Sequence, residues 1–253
     1  MSETRKITLA AGHFIETAIS GIKEGNMDAR FDDASADSSR NKAVFYGHMG
    51  LQAADVIRMS AEHGEKIVDV ASIATNSNSS EDTSVICDGL ITTEFNRGLA
   101  LFPADCVPMF AYSKHQPVLG LIHVGREGAG LGIHTKAIQK LVDEYNVELD
   151  GLRVYLGPSI KKESYSYPEL APSLRENEQW DDYISYSKEE KMYRIDLAGF
   201  VHAGLIAAGV HADHIDISAT DTAADEIYFS NLRSNVNGSV KGRNGILAVI
   251  RRK

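Results

Sequence analysis

Val118-Leu119-Gly120-Leu121-Ile122-His123-Val124 runs directly into Gly125-Arg126-Glu127-Gly128-Ala129-Gly130-Leu131-Gly132, and that into residues 133–145, where Ala137, Ile138, Leu141, Val142 and Tyr145 recur at helical spacing. An apolar run of strand length, a glycine-rich turn and a one-sided apolar period predict strand, turn and helix in that order. Upstream, residues 85–92, 99–102 and 107–112 are short, closely spaced apolar runs that also read as strands, and 66–71 is a further one. Residues 51–62 read as a helix, since Leu51, Ala54, Val56, Ile57 and Met59 fall near one face. Downstream, residues 152–156 form a strand stopped by Gly157-Pro158, Asp196 caps a helix that ends before Gly209, and 215–218 and 246–251 are the last strands. The polar stretch 25–48 reads as loop with short elements, 75–83 and 225–241 read as loop, and 161–192, with Trp180, as an excursion over the surface. Strands and helices are mixed without strict alternation, which predicts an α/β (α+β) fold with mixed β-sheets flanked by helices.

The chain has 253 residues, 43% hydrophobic and 24% charged, enough for a full core, and neither a repeat nor a linker divides it. A single domain over 1–253 is expected. With 26 Lys+Arg against 35 Asp+Glu the formal net charge is −9, which disfavours nucleic acid as a partner. No run of about 18 apolar residues is available to span a membrane, and the apolar run at 7–11 is too short for a secretory signal, so a cytoplasmic location is expected. Two cysteines, Cys87 and Cys106, are too few for a disulfide framework and suit a reducing compartment.

Pro103-Ala104-Asp105-Cys106-Val107-Pro108 carries the densest chemical signal, and His123 follows 17 positions after the cysteine. A thiolate both ligates metal and attacks carbonyls, so Cys106 with His123 reads as a metal pair or as nucleophile and base. The ordinary alternative is a buried cysteine beside a core histidine. Cys87, inside an apolar run, reads as structural, and His63 stands out weakly before a strand. His211 and His214 lack a third ligand and read as surface histidines. The glycine turn at 125–132 matches neither G-x-G-x-x-G nor a P-loop, and it serves equally as a phosphate cradle or a close backbone turn. Glu81-Asp82 and Glu189-Glu190 read as solvated carboxylates.

Taken together, these strings resemble the laccase-domain family, formerly described as multicopper polyphenol oxidases and associated with purine nucleoside phosphorolysis. The resemblance rests on the order of Ala61-Glu62-His63-Gly64, Cys87-Asp88-Gly89-Leu90-Ile91-Thr92, Leu99 through Pro108, His123-Val124-Gly125, Gly157-Pro158-Ser159-Ile160, Asp196-Leu197, Phe229-Ser230, Arg233 and Gly242-Arg243, with Asn41-Lys42 echoing the family's Asn-Arg. It implies one metal, zinc with copper as the alternative, held by His63, Cys106 and His123. Such a His₂Cys set leaves a tetrahedral position open, as in catalytic zinc sites. These three are therefore the expected catalytic residues, and Ser230, Arg233, Arg243 and Asn41 the expected substrate-binding ones.

The chain departs from the family where substrate is met. The family's Trp-Arg after His-Ala-Gly is Arg126-Glu127, its Gln before the first ligand is Ala61, its late Cys-Thr falls where Ala219-Thr220-Asp221-Thr222 stands, and Ser-Tyr-Arg-Arg reads Ser230-Asn231-Leu232-Arg233. Losing an aromatic removes a stacking surface, and an anion in place of a cation repels phosphate. The expected activity is metal-dependent phosphorolysis of adenosine- or inosine-type nucleosides, or deamination of adenosine, with nucleoside and phosphate as the partners of a monomer or homodimer. Two rivals stay open: a metal-free cysteine hydrolase using Cys106 and His123, and a non-catalytic metal-binding member.

Overall fold

A computed structural model describes residues 3–31, 35–74 and 81–252. In chain order its strands begin with β1 (Glu3–Thr8), β2 (Phe14–Ile19), β3 (Val56–Ser60), β4 (Ile67–Asp69), β5 (Thr83–Ile86), β6 (Gly89–Thr92) and β7 (Gly98–Leu101). They continue with β8 (Val107–Ser113), β9 (Leu119–Val124), β10 (Leu152–Leu156), β11 (Ser166–Tyr167), β12 (Ile184–Ser187), β13 (Met192–Ile195), β14 (Ile215–Ile217) and β15 (Ile246–Arg251). The α-helices are α1 (Ser35–Gly47), α2 (Arg126–Gly130), α3 (Ile133–Tyr145), α4 (Pro172–Arg175), α5 (Leu197–Ala207) and α6 (Asn231–Asn237).

Two six-stranded mixed sheets form the frame, in the orders β1-β2-β15-β7-β3-β5 and β14-β10-β8-β9-β6-β4, and β11-β13-β12 make a small third sheet. The pairs β3·β7, β3·β5, β4·β6 and β10·β14 are parallel, the others antiparallel. The large sheets pack face to face through one apolar cluster: Ile15, Ile57, Met59, Leu99 and Leu101 of the first meet Leu90, Phe110, Leu119, Leu121 and Tyr155 of the second. The second sheet's other face, through Met109, Ala111, Ile122 and Val124, packs on Ile133, Ala137 and Leu141 of α3 and Val201 and Leu205 of α5. On the outer face of the first sheet, Phe45 and Tyr46 of α1 lie against Ala18, Val56, Ala100 and Leu247. The order is therefore helix, sheet, sheet, helices, as the expected fold class requires. Each large side chain removed from water in these layers contributes roughly 1.5–3 kcal/mol.

Residues 51–62 are not a helix. After a 3₁₀ turn at Ala53–Asp55 they form β3, with Val56 facing α1 and Ile57 and Met59 facing the second sheet. A strand covered on both faces is apolar on both, and such a run does not differ in pattern from a buried helix. The stretch 25–48, expected as loop with short elements, holds a 13-residue helix over 35–47. Of its side chains, Ser38, Phe45 and Tyr46 are buried, and with the apolar pair confined to the last turn there is no stripe to read. The run 85–92 divides between β5 and β6, which belong to different sheets, with Cys87 and Asp88 at the crossing. Strands β1 and β2 and the short helix α6 within 225–241 escaped the sequence reading. Of the predicted loop 75–83, residues 75–80 lie outside the described residues. The excursion 161–192 folds into the small sheet and buries Trp180 stacked on Phe200, with ring centroids 3.9 Å apart.

Other expectations hold closely. The α3 bounds are those read from its periodicity, and Asp196 caps α5 by accepting the Gly199 N–H at 2.8 Å. Gly209, with φ of 93°, ends that helix in the left-handed region. Among the described residues no helix is long and apolar enough to cross a membrane.

Candidate metal centre

His123 has the strand parity of Leu119 and Leu121, which face the space between the two large sheets, so its imidazole stands at the end of that interface. His63 arrives on the loop that leaves β3, and Cys106 on the loop just before β8. Their candidate ligand atoms all lie within 4.8 Å of one another, and among the described residues this is the one such group of three or more His, Cys, Asp or Glu. Cys106 Sγ is 3.9 Å from His63 Nε2, close to the roughly 3.5 Å between sulfur and nitrogen ligands of a tetrahedral zinc. The imidazoles of His63 and His123 meet edge to face, 4.9 Å between centroids.

Asp88 organises this corner. Its carboxylate accepts the N–H groups of Glu62, His63 and Gly64 at 3.2, 2.9 and 2.9 Å, and it lies 2.8 Å from His123 Nδ1. Burial pushes its pKa up, but the hydrogen bond from His123 and those backbone donors outweigh it, leaving the carboxyl below its ordinary value. An ionised carboxylate only accepts, so Nδ1 carries the proton and Nε2 is the nitrogen left for a ligand's role. His63 itself has φ of 63°, a backbone conformation uncommon for a non-glycine residue, and the Asp88 clamp holds it there. Burial alone would raise the Cys106 thiol, yet the charge of His123 and hydrogen bonds to both histidines bring it down to about 6. Burial likewise pulls His123 down, while the Cys106 thiolate and Asp88 push it up to about 9.

Gly125 shows that the space among the three side chains is built to be kept open. A Cβ there would sit 2.8 Å from His63 Cδ2, 3.2 Å from Cys106 Sγ and 3.6 Å from His123 Cε1. The glycine turn thus brings backbone close to the three donors, and α2, five residues long, follows it. A half-exposed thiolate, two imidazoles and a side-chain-free approach make a donor set that fits a single ion.

The three side chains lie in the wall of a cavity of about 660 Å³, together with Lys42, Arg58, Arg126, Glu127, Tyr165, Tyr167 and Arg243, among others. Of the substrate-binding residues expected from sequence, Arg243 reaches this cavity and three do not. The Asn41 side chain donates to the Asn26 carbonyl at 2.9 Å, and its neighbour Lys42 lines the cavity instead. Ser230 is buried, donates to Asp105 at 3.0 Å and caps α6, so it supports the loop carrying Cys106 from behind. Arg233 spends its guanidinium on the carbonyls of Thr222, Ala223, Asp225 and Tyr228, tethering the segment 222–228.

Glu127 does not stand alone before a ligand: one of its oxygens accepts from Arg126 Nη2 at 2.8 Å and from Ser173 Oγ at 2.9 Å. Sequence reasoning missed Asp88, Arg58 and the tyrosine pair. A carboxylate between an apolar run and a glycine was the available sign for Asp88, because a buried Asp needs partners. Asp82 is not solvated as expected. Its side chain is 4% exposed and accepts from Tyr46 Oη at 2.7 Å and Arg58 Nε at 3.1 Å. Cys87 is structural as expected, buried and with its thiol pushed up to about 11 by burial. His211 is exposed, and His214 lies 2.8 Å from Arg153 Nη1, far from the role of a ligand pair.

A family model described as multi-copper polyphenol oxidoreductase laccase matches residues 4–251. Similar proteins include a purine nucleoside phosphorylase, ORF3, of Streptomyces griseus, 26% identical over 83% of this chain and 81% of its own. Another is a purine nucleoside phosphorylase of Rickettsia conorii, 27% identical over 79% of each. Among solved structures, YlmD from Geobacillus stearothermophilus superposes with a TM-score of 0.79 at 23% identity, covering 100% of this chain and 98% of that one. A hypothetical protein YfiH of Bacillus licheniformis gives 0.76 at 22% identity over 94% and 91%. With the motif order, the sheet architecture and a match over nearly its whole length in agreement, the chain belongs to the multi-copper polyphenol oxidoreductase laccase family.

Proposed function

We propose that this protein is a metal-dependent purine nucleoside enzyme that cleaves the N-glycosidic bond of adenosine- or inosine-type nucleosides with phosphate. The observation that carries this reading is the convergence of His63, Cys106 and His123 within 4.8 Å in the wall of a nucleoside-sized cavity. The names of its relatives support the reaction class. In the reaction a phosphate oxygen bonds to C1′ as the bond from C1′ to the base nitrogen breaks, and the products are ribose 1-phosphate and the free base after protonation.

His63, Cys106 and His123 would hold the ion, zinc by the tetrahedral preference of this donor set with copper as the alternative. A bound ion of this kind supplies Lewis acidity toward a substrate oxygen. The chain's own side chains do the rest. Asp88 fixes the His123 ring and the turn of His63, so neither reorients when substrate enters. Tyr165 and Tyr167, edge to face at 5.7 Å, give the cavity an aromatic wall for a planar base where the family's tryptophan is absent. Hydrolytic deamination of adenosine would use the same donors and is a second outcome of the same assay.

The test is turnover by zinc-loaded protein: inosine with phosphate yields hypoxanthine, the yield depends on phosphate, and His63→Ala abolishes it. Absence of base release or deamination from any purine nucleoside overturns the reading. A metal-free cysteine hydrolase is favoured by one observation, the thiol of Cys106 held near 6 beside His123. Ester or amide hydrolysis that survives chelation and is lost on thiol alkylation would assign it.

A further inference from the structure

Three carboxylates line the cavity: Asp28, Asp105 and Glu127. Asp28 spends both oxygens on Arg30, and Asp105 spends both on Thr222, Ser230 and the Leu232 N–H. Glu127 uses only one. Its Oε1 accepts from Arg126 Nε and Nη2 at 3.1 and 2.8 Å and from Ser173 Oγ at 2.9 Å, and among the described residues nothing donates to Oε2. One oxygen therefore fixes the group while the other stands open in the cavity wall.

Adjacent residues of a helix do not ordinarily face each other. Yet Arg126 and Glu127, the first two residues of α2, turn onto one another, and Ser173 of α4 holds the same oxygen. Burial pushes the Glu127 pKa up, but the hydrogen bonds from Arg126 and Ser173 and the charges of Arg126 and His63 outweigh it. The group is ionised and can only accept. Burial also raises the phenols of Tyr165 and Tyr167, and the charge of Arg126 is near enough to oppose it in both. Tyr165, Tyr167 and Ser173 all belong to the excursion 161–192, so one segment supplies both the aromatic face and the hold on Glu127.

A flat heterocycle is recognised by stacking on its face and by hydrogen bonds at its edge. The tyrosines offer the first. A carboxylate oxygen beside them offers one form of the second, because it takes an N–H of the ring and repels a bare ring nitrogen.

We propose that Glu127, held by Arg126 and Ser173, determines base specificity by accepting an N–H from the edge of the purine ring. The proposal deepens the nucleoside reading and rests on it for the substrate class. Two sources share this chemistry: the N1–H of a 6-oxopurine and the exocyclic amine of adenine.

Calorimetric titration of the zinc-loaded full chain without phosphate tests it, with inosine, 1-methylinosine, adenosine and N6,N6-dimethyladenosine as probes. Each methylated probe lacks the hydrogen in question. Glu127→Gln keeps the volume and removes the charge, so it is expected to weaken the recognised parent nucleoside about tenfold, the difference between a charged and a neutral acceptor. The methylated counterpart should be unchanged by the substitution, which separates a lost hydrogen bond from a steric clash. Glu144→Gln, which removes an exposed carboxylate paired with Lys140 on α3, should change none of the four affinities.

A loss confined to inosine assigns the N1–H, and a loss confined to adenosine assigns the amine. Parent affinities unchanged in folded Glu127→Gln, or a loss shared equally by the methylated probes, overturns the proposal. The two readings fail separately. Phosphorolysis with parent affinities unchanged in Glu127→Gln fails the Glu127 assignment alone. The expected pattern of binding in a protein that cleaves no nucleoside fails the phosphorolysis reading alone, and no nucleoside binding at all overturns both.

Discussion

Asp88 bonds at once to the ring of His123, 2.8 Å from Nδ1, and to the backbone N–H of His63 at 2.9 Å, so one buried carboxylate fixes the orientation of one imidazole and the backbone that carries the other. His63, on the loop that leaves β3, and His123, in β9, share this anchor. Replacing Asp88 by Asn keeps the size but removes the charge that fixes the Nδ1 proton. Zinc affinity of Asp88→Asn, measured by competition with a chromophoric chelator, is expected to fall about 10–100-fold, the usual loss when a ligand's hydrogen-bond partner is removed. Unchanged affinity would show that the imidazoles are held by packing alone.

Gly125→Ala tests the same centre by volume. The new methyl would stand 2.8 Å from His63 Cδ2 and 3.2 Å from Cys106 Sγ, inside contact distance for both. Gly125 has φ of −84°, so alanine is not strained by backbone conformation, and the effect must come from the occupied space. The variant is expected to fold, with far-UV circular dichroism like that of the parent, and to bind zinc at least about tenfold more weakly, comparable to loss of an outer-shell partner. Metal content per chain after dialysis reads the result directly.

The two cysteines are expected to separate by rate. Cys106 is half-exposed with its thiol brought down to about 6, whereas Cys87 is buried with its thiol pushed up to about 11. Near neutral pH the first is largely thiolate and the second is not, and the thiolate is the reactive form. Iodoacetamide acting on chelator-treated protein should label Cys106 at least about tenfold faster than Cys87, as read by peptide mass spectrometry. Added zinc should protect Cys106. Equal labelling of the two, or no protection, would contradict the assignment of Cys106 to the ligand set.

Legibility in the sequence followed local pattern. Strand β9, the glycine turn and α3 could be read because strand and helix signals sit side by side there, and Ile133–Tyr145 presents one apolar face to the second sheet. Strand β3 could not, because both its faces are covered. Cys106 and His123 were legible as chemistry-bearing types at strand ends. Asp88 was hidden because its partners come from residues 62–64 and 123, distant in sequence. Ser230 and Arg233 stand at the motif positions that suggested substrate contact, yet their hydrogen bonds go to Asp105 and to backbone carbonyls. A motif records which residue is present, and only the packing shows which way its donors are spent.

His134 offers a stability test independent of the metal centre. It is 2% exposed, packs edge to face on Phe200 at 5.9 Å, and its Nδ1 has no hydrogen-bond partner among the described residues. Burial lowers its pKa from 6.5 to about 4, so the folded chain resists a proton that the unfolded chain accepts. A depressed folded value means the contribution is whole above the unfolded pKa and is lost as pH falls through the folded one. From pH 6.5 to about 4 this group should therefore remove up to about 3 kcal/mol of stability, the linkage value of the shift. Carboxylates titrate in the lower part of that range too, so the informative quantity is a difference between proteins. Urea unfolding of the parent and of His134→Leu, run across this window, should show the parent losing stability more steeply on acidification, and parallel curves would mean that the imidazole accepts its proton without cost in the folded state.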